Sequence, residues 1–267
     1  MPYSWGVILD RDKQAKGFID VCKSFDSKAW LNSDLLEFFL IPSLGLNDEF
    51  LHEQPPELSR YFGGGLGLQV WQYPNQFAQY LKFIAAFGHK ISSYMEIGTR
   101  FGGTFLIHNE LLRSTSKSFR RGVAVDIMDE PPLMSAYRNC YPESVFYWKA
   151  DTQSFSFDEH IEGKFFDLVF IDGDHSYDGV KSDALKTLER SNIQVFHDIT
   201  NDAVPGVGAF WGEFKLANSS THYFVEFVNQ YESVNGNFLG IGVSVRKQWK
   251  WIPRIMSSVT LKLGIPA

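Results

Sequence analysis

Short apolar segments alternate with helical segments between residues 93 and 245, and this alternation constrains the fold more than any other feature. The strand candidates are SYMEIG (93–98), GVAVDI (122–127), SVFYWKA (144–150), FFDLVFID (165–172), IQVFHD (193–198), HYFVEFV (222–228) and FLGIGVSV (238–245). Apolar periodicity or composition predicts helices near 104–112, 132–140, 178–190 and 207–217. Strands that alternate with helices form a parallel sheet with helices on both faces, so we predict an α/β fold.

The last two strand candidates are joined by a short connection that leaves no room for a long helix. Such a connection is typical of antiparallel strands, so the predicted seven-stranded sheet is mostly parallel with an antiparallel last strand. A helical pattern over 76–88 precedes the first strand. We therefore divide the chain into an N-terminal helical cap (1–75), a central domain (76–245) and a basic, aromatic tail (246–267). The family resemblance described below implies that the cap selects the substrate.

The composition disfavours nucleic acid as a partner and a secreted or membrane-spanning location. The 267 residues carry a formal net charge of −6, whereas domains that bind nucleic acid through its phosphates usually carry a basic excess. Cys22 and Cys140, the two cysteines, form neither a disulfide framework nor a zinc pattern. The chain shows no signal-peptide pattern and no run near the ~18 apolar residues of a membrane span. We expect a cytoplasmic protein with no nucleic-acid partner and no integral membrane span.

The turn after the first strand, EIGTRFGGT (96–104), is rich in glycine. Glycines at this place let the backbone approach a ligand and turn sharply into a helix. The dinucleotide fingerprint needs a second glycine at position 100, where this chain has Arg100, so a nicotinamide cofactor is disfavoured. A glycine-rich helix entry without any ligand is the alternative.

Acidic residues also follow the second and third strands. Asp126 ends the second strand, where a carboxylate can accept hydrogen bonds from both hydroxyls of a ribose. Asp151 follows the third strand, although aspartate is common in any turn. Both residues could therefore bind a nucleoside or simply stabilise turns.

Ionisable side chains follow the fourth and fifth strands. Asp172, Asp174 and His175 come after a strand that is apolar on both faces, and His197-Asp198 ends the next strand. These two strands are neighbours in a doubly wound sheet, and ligands bind beyond the carboxyl ends of the strands. We expect carboxylates and imidazoles to converge there, with Asp174 more suited to stabilising a turn.

Two motifs carry a resemblance to a known group of proteins. Glu96, Gly98 and Gly102 resemble the E/D-x-G-x-x-x-G signature of class I S-adenosylmethionine (SAM)-dependent methyltransferases, whose Rossmann-like sheet has the predicted shape. The segments FDLVFIDGDHSYDGVKSD and VFHD resemble metal-dependent O-methyltransferases, including the macrolide-sugar enzymes and the cephalosporin hydroxylase-like group. The resemblance implies that Gly98 and Gly102 line the methionine half of SAM, that Glu96 organises the loop, and that Asp151 lies near the adenine.

The same resemblance implies a metal site and a base. Asp172 and Asp198 match positions that bind a divalent cation, usually magnesium, and His175 lies at the spacing of a general base. His197 departs from the macrolide-sugar enzymes, which tend to carry a carboxylate there. It could ligate the metal, which would also suit manganese, iron or zinc, or it could donate to a backbone carbonyl and orient Asp198.

These observations predict methyl transfer from SAM to a hydroxyl of a small polar acceptor, a sugar or a polyhydroxylated natural product, with metal assistance. One alternative is an iron-dependent oxygenase that uses His175, His197 and Asp172. Another is a non-catalytic SAM-binding partner protein, in which Arg100 and His197 mark lost activity.

Several flanking features have two interpretations each. The segment 71–76 could cap the SAM pocket or only begin a helix, and Trp211 could line the acceptor pocket or pack against the domain. Asp183 is expected on a solvent-facing side of its helix. The tail 246–267 mixes Lys and Arg with Trp and could lie on a membrane surface, but Pro253 favours packing against the domain or against another subunit of a homo-oligomer.

Overall fold

The computed structural model describes residues 10–43 and 67–249. The helices are α1 (Arg11–Ser24), α2 (Ser33–Ser43), α3 (Pro74–Phe87), α4 (Gly103–Thr115), α5 (Pro132–Cys140), α6 (Phe155–Ile161), α7 (Tyr177–Leu188) and α8 (Pro205–Asn218). The strands are β1 (Ser93–Ile97), β2 (Arg121–Asp126), β3 (Val145–Lys149), β4 (Phe166–Ile171), β5 (Ser191–His197), β6 (His222–Phe227) and β7 (Ile241–Arg246). Part of the predicted N-terminal cap (residues 1–9 and 44–66) and the tail from residue 250 lie outside the described residues.

The strands form one sheet in the order β3-β2-β1-β4-β5-β7-β6. Strands β1 to β5 pair in parallel, whereas β7 pairs antiparallel with both β5 and β6. The predicted α/β fold, mostly parallel with an antiparallel last strand, is therefore confirmed. The sequence pattern did not show that β7 inserts between β5 and β6, because strand order depends on long-range packing.

The chain reverses its direction of travel across the sheet at β1. It runs outward from β1 through β2 to β3 and then returns to place β4 on the other side of β1. A crevice opens beyond the carboxyl ends of the strands at such a switch point, and ligands bind there. The register Ile97↔Ile171 brings the ends of β1 and β4 side by side, and the Asp172 amide donates to the Ile97 carbonyl at 2.9 Å.

Two apolar clusters cover the two faces of the sheet. On β4, Leu168 and Phe170 point into the cluster that contains α3 and α4, and Val169 and Ile171 point into the cluster that contains α7 and α8. This alternation explains why the strand is apolar along its whole length. Burial of both faces fixes the register, and the register in turn fixes where the polar strand ends emerge.

The N-terminal helices share the first of these clusters. Phe18 of α1 and Leu36 of α2 belong to the same apolar core as Phe77 of α3 and Phe105 of α4. Helix α3 begins at Pro74, two residues before the predicted helical pattern, and proline fits this position because it needs no hydrogen-bond partner in a first turn. The division into cap, central domain and tail stays a prediction.

Membrane, location and assembly were also predicted from the sequence. Across residues 10–43 and 67–249, no helix is both long enough and apolar enough to cross a membrane. The cytoplasmic location, the homo-oligomer and the lack of a nucleic-acid partner stay predictions.

One helix and two side chains differ from the sequence predictions or decide between two of them. Helix α6 was not predicted. Asp183 is 0% exposed, so the expected solvent-facing position was wrong, and its Oδ1 accepts a hydrogen bond from Gln153 at 3.2 Å. Trp211 packs against Phe196, and its Nε1 donates to Glu226 at 2.6 Å, so it supports the core rather than a pocket.

Gly98 offers a test of the contact between β1 and β4. Its φ is +83°, and a Cβ there would lie 1.9 Å from the carbonyl oxygen of Asp172. We expect Gly98→Ala to lower the free energy of unfolding by at least about 3 kcal/mol, because backbone must move away from backbone. Gly163→Ala is the control, since Gly163 has φ +65° with nothing within 4 Å and should lose only about 1 kcal/mol. Equal losses in urea denaturation would show that the contact is not tight.

Candidate active site

The turn from β1 into α4 is built by backbone hydrogen bonds. The amides of Gly98 and Thr99 donate to the Val125 carbonyl at 2.9 and 3.3 Å, and the Arg100 amide donates to Asp126 Oδ2 at 2.7 Å. Gly102 has a φ of +93° and caps the N-terminus of α4. The turn is thereby held against the end of β2, with its glycines where the backbone needs left-handed angles.

A cleft of about 720 Å³ opens beyond the ends of β1 to β4. Its lining includes Gly98, Asp126, Asp151, Thr152, Gln153 and Gly173. Gly98, Asp126 and Asp151 were predicted to bind the cofactor, and the structure places all three here. Gly102 is not among the lining residues, and its α-carbon faces Met134 instead.

Two apolar residues of this cleft were missed by the sequence reasoning. Ile127 and Met128 directly follow Asp126 and are 65% and 63% exposed, which is unusual for side chains of this kind. The Met128 amide donates to Asp126 Oδ1 at 2.9 Å, which fixes the pair beside that carboxylate. Two apolar side chains next to a carboxylate provide a surface for a planar base and acceptors for a ribose. The signal was available in the sequence, as an apolar pair immediately after a strand-end acid.

A second cavity, of about 230 Å³, adjoins the first. The two share the lining residues Gly98, Arg100, Asp172 and His175. The smaller cavity also contains Glu96, His197 and Asp198, and its outer wall includes Gln69, Trp71, Asn201, Val204 and Leu239. The predicted catalytic and metal residues therefore all line one cavity, which adjoins the larger cleft.

Four of these side chains meet at one point. His175 Nε2 lies 3.1 Å from both Asp172 Oδ1 and Asp198 Oδ2, and His197 Nδ1 lies 3.1 and 3.3 Å from the same two oxygens. One nitrogen or oxygen of each residue lies within 4.8 Å of the others. Two carboxylates and two imidazoles at this spacing form a donor set for a divalent cation.

His197 provides an independent test of whether the cluster fits a metal. Its side chain is almost fully buried, and neither ring nitrogen has a hydrogen-bond partner within the described ranges. Nδ1 lies 3.1 and 3.3 Å from oxygens of the two carboxylates, and Nε2 is on the other side of the same ring. The expected donation to a backbone carbonyl is not seen in this part of the chain, and buried polar groups without partners are rare in proteins.

The four side chains of the cluster shift the pKa values of one another. Hydrogen bonds to Asp172 and Asp198 raise the pKa of His175 to about 10. Burial opposes the charged form of His197, but the two carboxylates outweigh it and hold its pKa well above the usual range. Burial likewise opposes ionisation of Asp172 and Asp198, yet the imidazoles lower the pKa of both. Asn201 adds a hydrogen bond to Asp198 Oδ1 at 2.7 Å.

Glu96 lies on the opposite wall of the same cavity and has a different environment. It is 1% exposed and accepts a short hydrogen bond from the Tyr94 hydroxyl. Burial raises the pKa of Glu96 well above its usual range, and Asp172 adds to the effect by repulsion. A neutral acid is therefore favoured there until a cation approaches.

A buried histidine behind Glu96 fixes the local hydrogen bonds. His108 Nδ1 donates to the Thr104 carbonyl at 2.9 Å, which leaves Nε2 to accept from the Tyr80 hydroxyl at 2.8 Å. Burial lowers the pKa of His108 to about 3, so the ring is neutral. It ties α3 to the first turn of α4, directly behind the cavity wall.

Backbone strain is concentrated at the smaller cavity. Among the described residues, Gln69, Arg100, Asp198 and Leu239 are the non-glycine residues with positive φ, at 56°, 46°, 63° and 60°. All four line this cavity. Such conformations cost about 1–3 kcal/mol each and cluster at ligand sites. Four separate segments therefore bring their left-handed residues together at this one cavity.

Comparison with known proteins gives one match by sequence. Residues 95–199 match a family described as a methyltransferase domain, a range that begins in β1 and ends just after Asp198. No curated protein matches the chain. The family match supports the predicted class I SAM-dependent methyltransferase, and it spans both the glycine-rich turn and the His/Asp cluster.

Solved structures give remoter similarities. The O-methyltransferase TomG from Streptomyces achromogenes, involved in tomaymycin synthesis and solved with SAM, is 16% identical with a TM-score of 0.48, covering 66% of this chain and 81% of TomG. An O-methyltransferase from Bacillus cereus solved with S-adenosylhomocysteine (SAH) is 17% identical with a TM-score of 0.46, covering 86% and 96% of the two chains. The mycinamycin-pathway methyltransferase MycE, solved with Mg and SAH, is 16% identical with a TM-score of 0.43, covering 65% and 50%. Similarities at this level do not indicate the reaction of this chain.

The strain at Leu239 can be measured by comparing two substitutions. Leu239→Gly and Leu239→Ala both remove the side chain beyond Cβ, but only alanine keeps the Cβ that opposes a φ of +60°. We expect the glycine variant to be more stable by about 1 kcal/mol in urea denaturation. At Leu185, on the exposed side of α7, the order should reverse by about 1 kcal/mol, because glycine is unfavourable inside a helix. The same order at both positions would contradict the strain at Leu239.

Proposed function

We propose that this protein transfers a methyl group from SAM to a hydroxyl oxygen of a small polar acceptor, with a divalent cation held by Asp172, His197 and Asp198. One observation carries the proposal: a nucleoside-sized cleft and a cavity with a His/Asp cluster share the walls formed by Gly98 and Asp172. A methyl donor in the first would face an acceptor in the second. A sugar or another polyhydroxylated natural product is the acceptor class that we favour.

The larger cleft offers partners to the nucleoside part of SAM, and the adjoining cavity offers one to the methionine part. Asp126 would accept from the ribose hydroxyls, and Ile127 and Met128 would pack against the adenine, with Asp151 nearby. Gly98 and Gly102 belong to the turn proposed for the methionine half. Glu96, buried in the wall of the smaller cavity, would bind the cationic ammonium. SAM, when bound, supplies a methyl group on a good leaving group, so the protein contributes mainly position.

The residues of the cluster would divide binding and proton transfer between them. Asp172, Asp198 and His197 form a mixed oxygen and nitrogen donor set, which suits magnesium, manganese, iron or zinc. A bound divalent cation would lower the pKa of an acceptor hydroxyl and hold it in place. His175 would then take the hydroxyl proton. With a pKa of about 10 it is already protonated at neutral pH in the cation-free cluster, so this role requires that the carboxylates be neutralised.

Calorimetric titration with SAM and SAH, with and without MgCl₂, tests the proposal directly. We expect saturable binding of both ligands with Kd in the micromolar range, about −8 kcal/mol. If neither ligand binds under either condition, the methyltransferase proposal fails. If the protein binds SAM, hydroxylated acceptors are then screened by measuring the release of SAH.

The metal assignment is tested by isosteric substitutions. Asp172→Asn and Asp198→Asn each remove a charge without changing volume, and we expect at least about 100-fold weaker Mn²⁺ binding and metal-dependent turnover. SAH binding should largely survive in both variants.

Asp174→Asn is the matched control for these substitutions. Asp174 lies in the same segment but is exposed, and its Oδ1 accepts from the Ser176 amide at 2.8 Å, a turn contact that asparagine keeps. Wild-type Mn²⁺ binding in Asp172→Asn or Asp198→Asn would refute the metal site.

The proposed ammonium partner predicts a pH dependence of cofactor binding. Burial favours neutral Glu96 in the free protein, whereas an adjacent ammonium favours the carboxylate, so the complex carries fewer protons. SAH binding should therefore release a proton and tighten as the pH rises toward the raised pKa. Calorimetry in buffers of different ionisation enthalpy measures this release. Glu96→Gln should bind SAH more weakly and release none, and proton release unchanged in that variant would exclude Glu96 as the source.

The His/Asp cluster is also compatible with an iron-dependent oxygenase. His175, His197 and Asp172 converge as the oxygenase alternative requires, and two imidazoles with one carboxylate suit iron. Iron-dependent oxygen consumption by a protein that does not bind SAM would favour the oxygenase. SAM binding with no transfer to any acceptor would instead favour the non-catalytic partner protein.

A further inference from the structure

Arg100 lies where the two cavities meet and lines both of them. Its guanidinium lies 4.4 Å from the ring centre of Trp71 and 5.0 Å from that of Phe101. Rings at these distances attract the guanidinium but accept none of its five N–H donors as ordinary hydrogen bonds. These donors are thus left for a ligand or for solvent.

The guanidinium has no anionic partner in the part of the chain that the structure describes. It makes no ion pair and no side-chain hydrogen bond there. Its backbone is nevertheless tightly placed, because the Arg100 amide donates to Asp126 at 2.7 Å and its φ is held at +46°. Left-handed backbone at a non-glycine residue is uncommon, and such residues are often found at ligand sites.

Arg100 is the cationic side chain of the acceptor cavity that the proposed function leaves without a charged partner. On that function, Asp172 and Asp198 offset one divalent cation, and Glu96 faces the ammonium of SAM. The guanidinium of Arg100 is therefore left to pair with an anionic group of a ligand. A planar guanidinium binds a carboxylate through two parallel hydrogen bonds, which gives both affinity and orientation.

The surroundings of Arg100 indicate which ligand supplies the anion. Trp71, the ring nearest to its guanidinium, lines the smaller cavity and not the nucleoside-sized cleft, and the same holds for Gln69 and Leu239. Leu239 and Val204 add apolar surface to this wall. We propose, resting on the proposed function, that Arg100 binds a carboxylate of the acceptor, so that the acceptor is a hydroxylated carboxylic acid rather than a neutral sugar or alcohol.

The carboxylate of the methionine half of SAM is the other source of the same chemistry, because Arg100 also borders the larger cleft. The experiment therefore separates cofactor from acceptor. Wild-type protein is first titrated with SAH. Two samples are then titrated, one saturated with SAH and MgCl₂ and one with MgCl₂ alone. The ligands are two matched pairs of an acid and its neutral analogue: glucuronate with glucose, and 3-hydroxybenzoate with 3-hydroxybenzamide.

The expected result is a preference of at least about tenfold for the acid in one or both pairs. Arg100→Gln should abolish the preference while SAH affinity is unchanged, and Arg100→Lys should keep part of it. Arg120→Gln is the matched control, since Arg120 is also exposed but lies just before β2, at the other end of the strands. It should keep both the acid preference and the SAH affinity. Equal melting temperatures of the variants check that the fold is intact.

Two results would overturn the proposal. One is that neither acid binds better than its neutral partner in wild-type protein. The other is that Arg100→Gln weakens SAH binding and leaves the acid preference unchanged, which would assign Arg100 to the cofactor. If the proposed function is wrong, wild-type protein will not bind SAH at all. The titrations without SAH would then still show whether the protein prefers the acids.

Discussion

The contact between the ends of β1 and β4 determines the geometry of the whole site. The Asp172 amide donates to the Ile97 carbonyl, and the carbonyl of Asp172 occupies the space where a side chain at position 98 would begin. This packing joins the glycine-rich turn to the first residue of the His/Asp cluster through backbone alone. Because backbone positions vary less than side-chain rotamers, the distance between the two cavities is set by the sheet rather than by any mobile group.

The His/Asp cluster lowers the stability of the fold, because it buries charged groups that need partners. Burial opposes the charged forms of Asp172, His197 and Asp198, and these forms depend on one another, on His175 and, for Asp198, on Asn201. Removing one partner leaves an uncompensated buried charge, whereas a cation replaces the protons of the imidazoles as the source of positive charge. The left-handed backbone of Asp198 adds further cost. The arrangement makes physical sense as a binding site and is poorly suited to a purely structural role.

The sequence predicted those parts of the molecule that depend on local pattern. Apolar runs identified the strands, and the spacing between Asp172 and His175 placed both at one strand end, next to His197-Asp198. The burial of Asp183 was missed because helical periodicity reports a face but not what packs on it. The insertion of β7 between β5 and β6, and the left-handed residues of the smaller cavity, were also beyond reach. They depend on contacts between segments distant in the chain, which a single sequence does not encode locally.

The walls of the two cavities are built by different means. The larger cleft is lined by strand ends and the turns that directly follow them. Part of the wall of the smaller cavity is instead assembled from loops that the helices hold. Gln76 of α3 accepts from the Gly240 amide at 3.1 Å, next to Leu239, and Gln14 of α1 donates to the Gly67 carbonyl at 2.9 Å, near Gln69. Changes in α1 or α3 can therefore reshape this part of the smaller cavity without disturbing the sheet, so the fold separates the geometry of one cavity from that of the other.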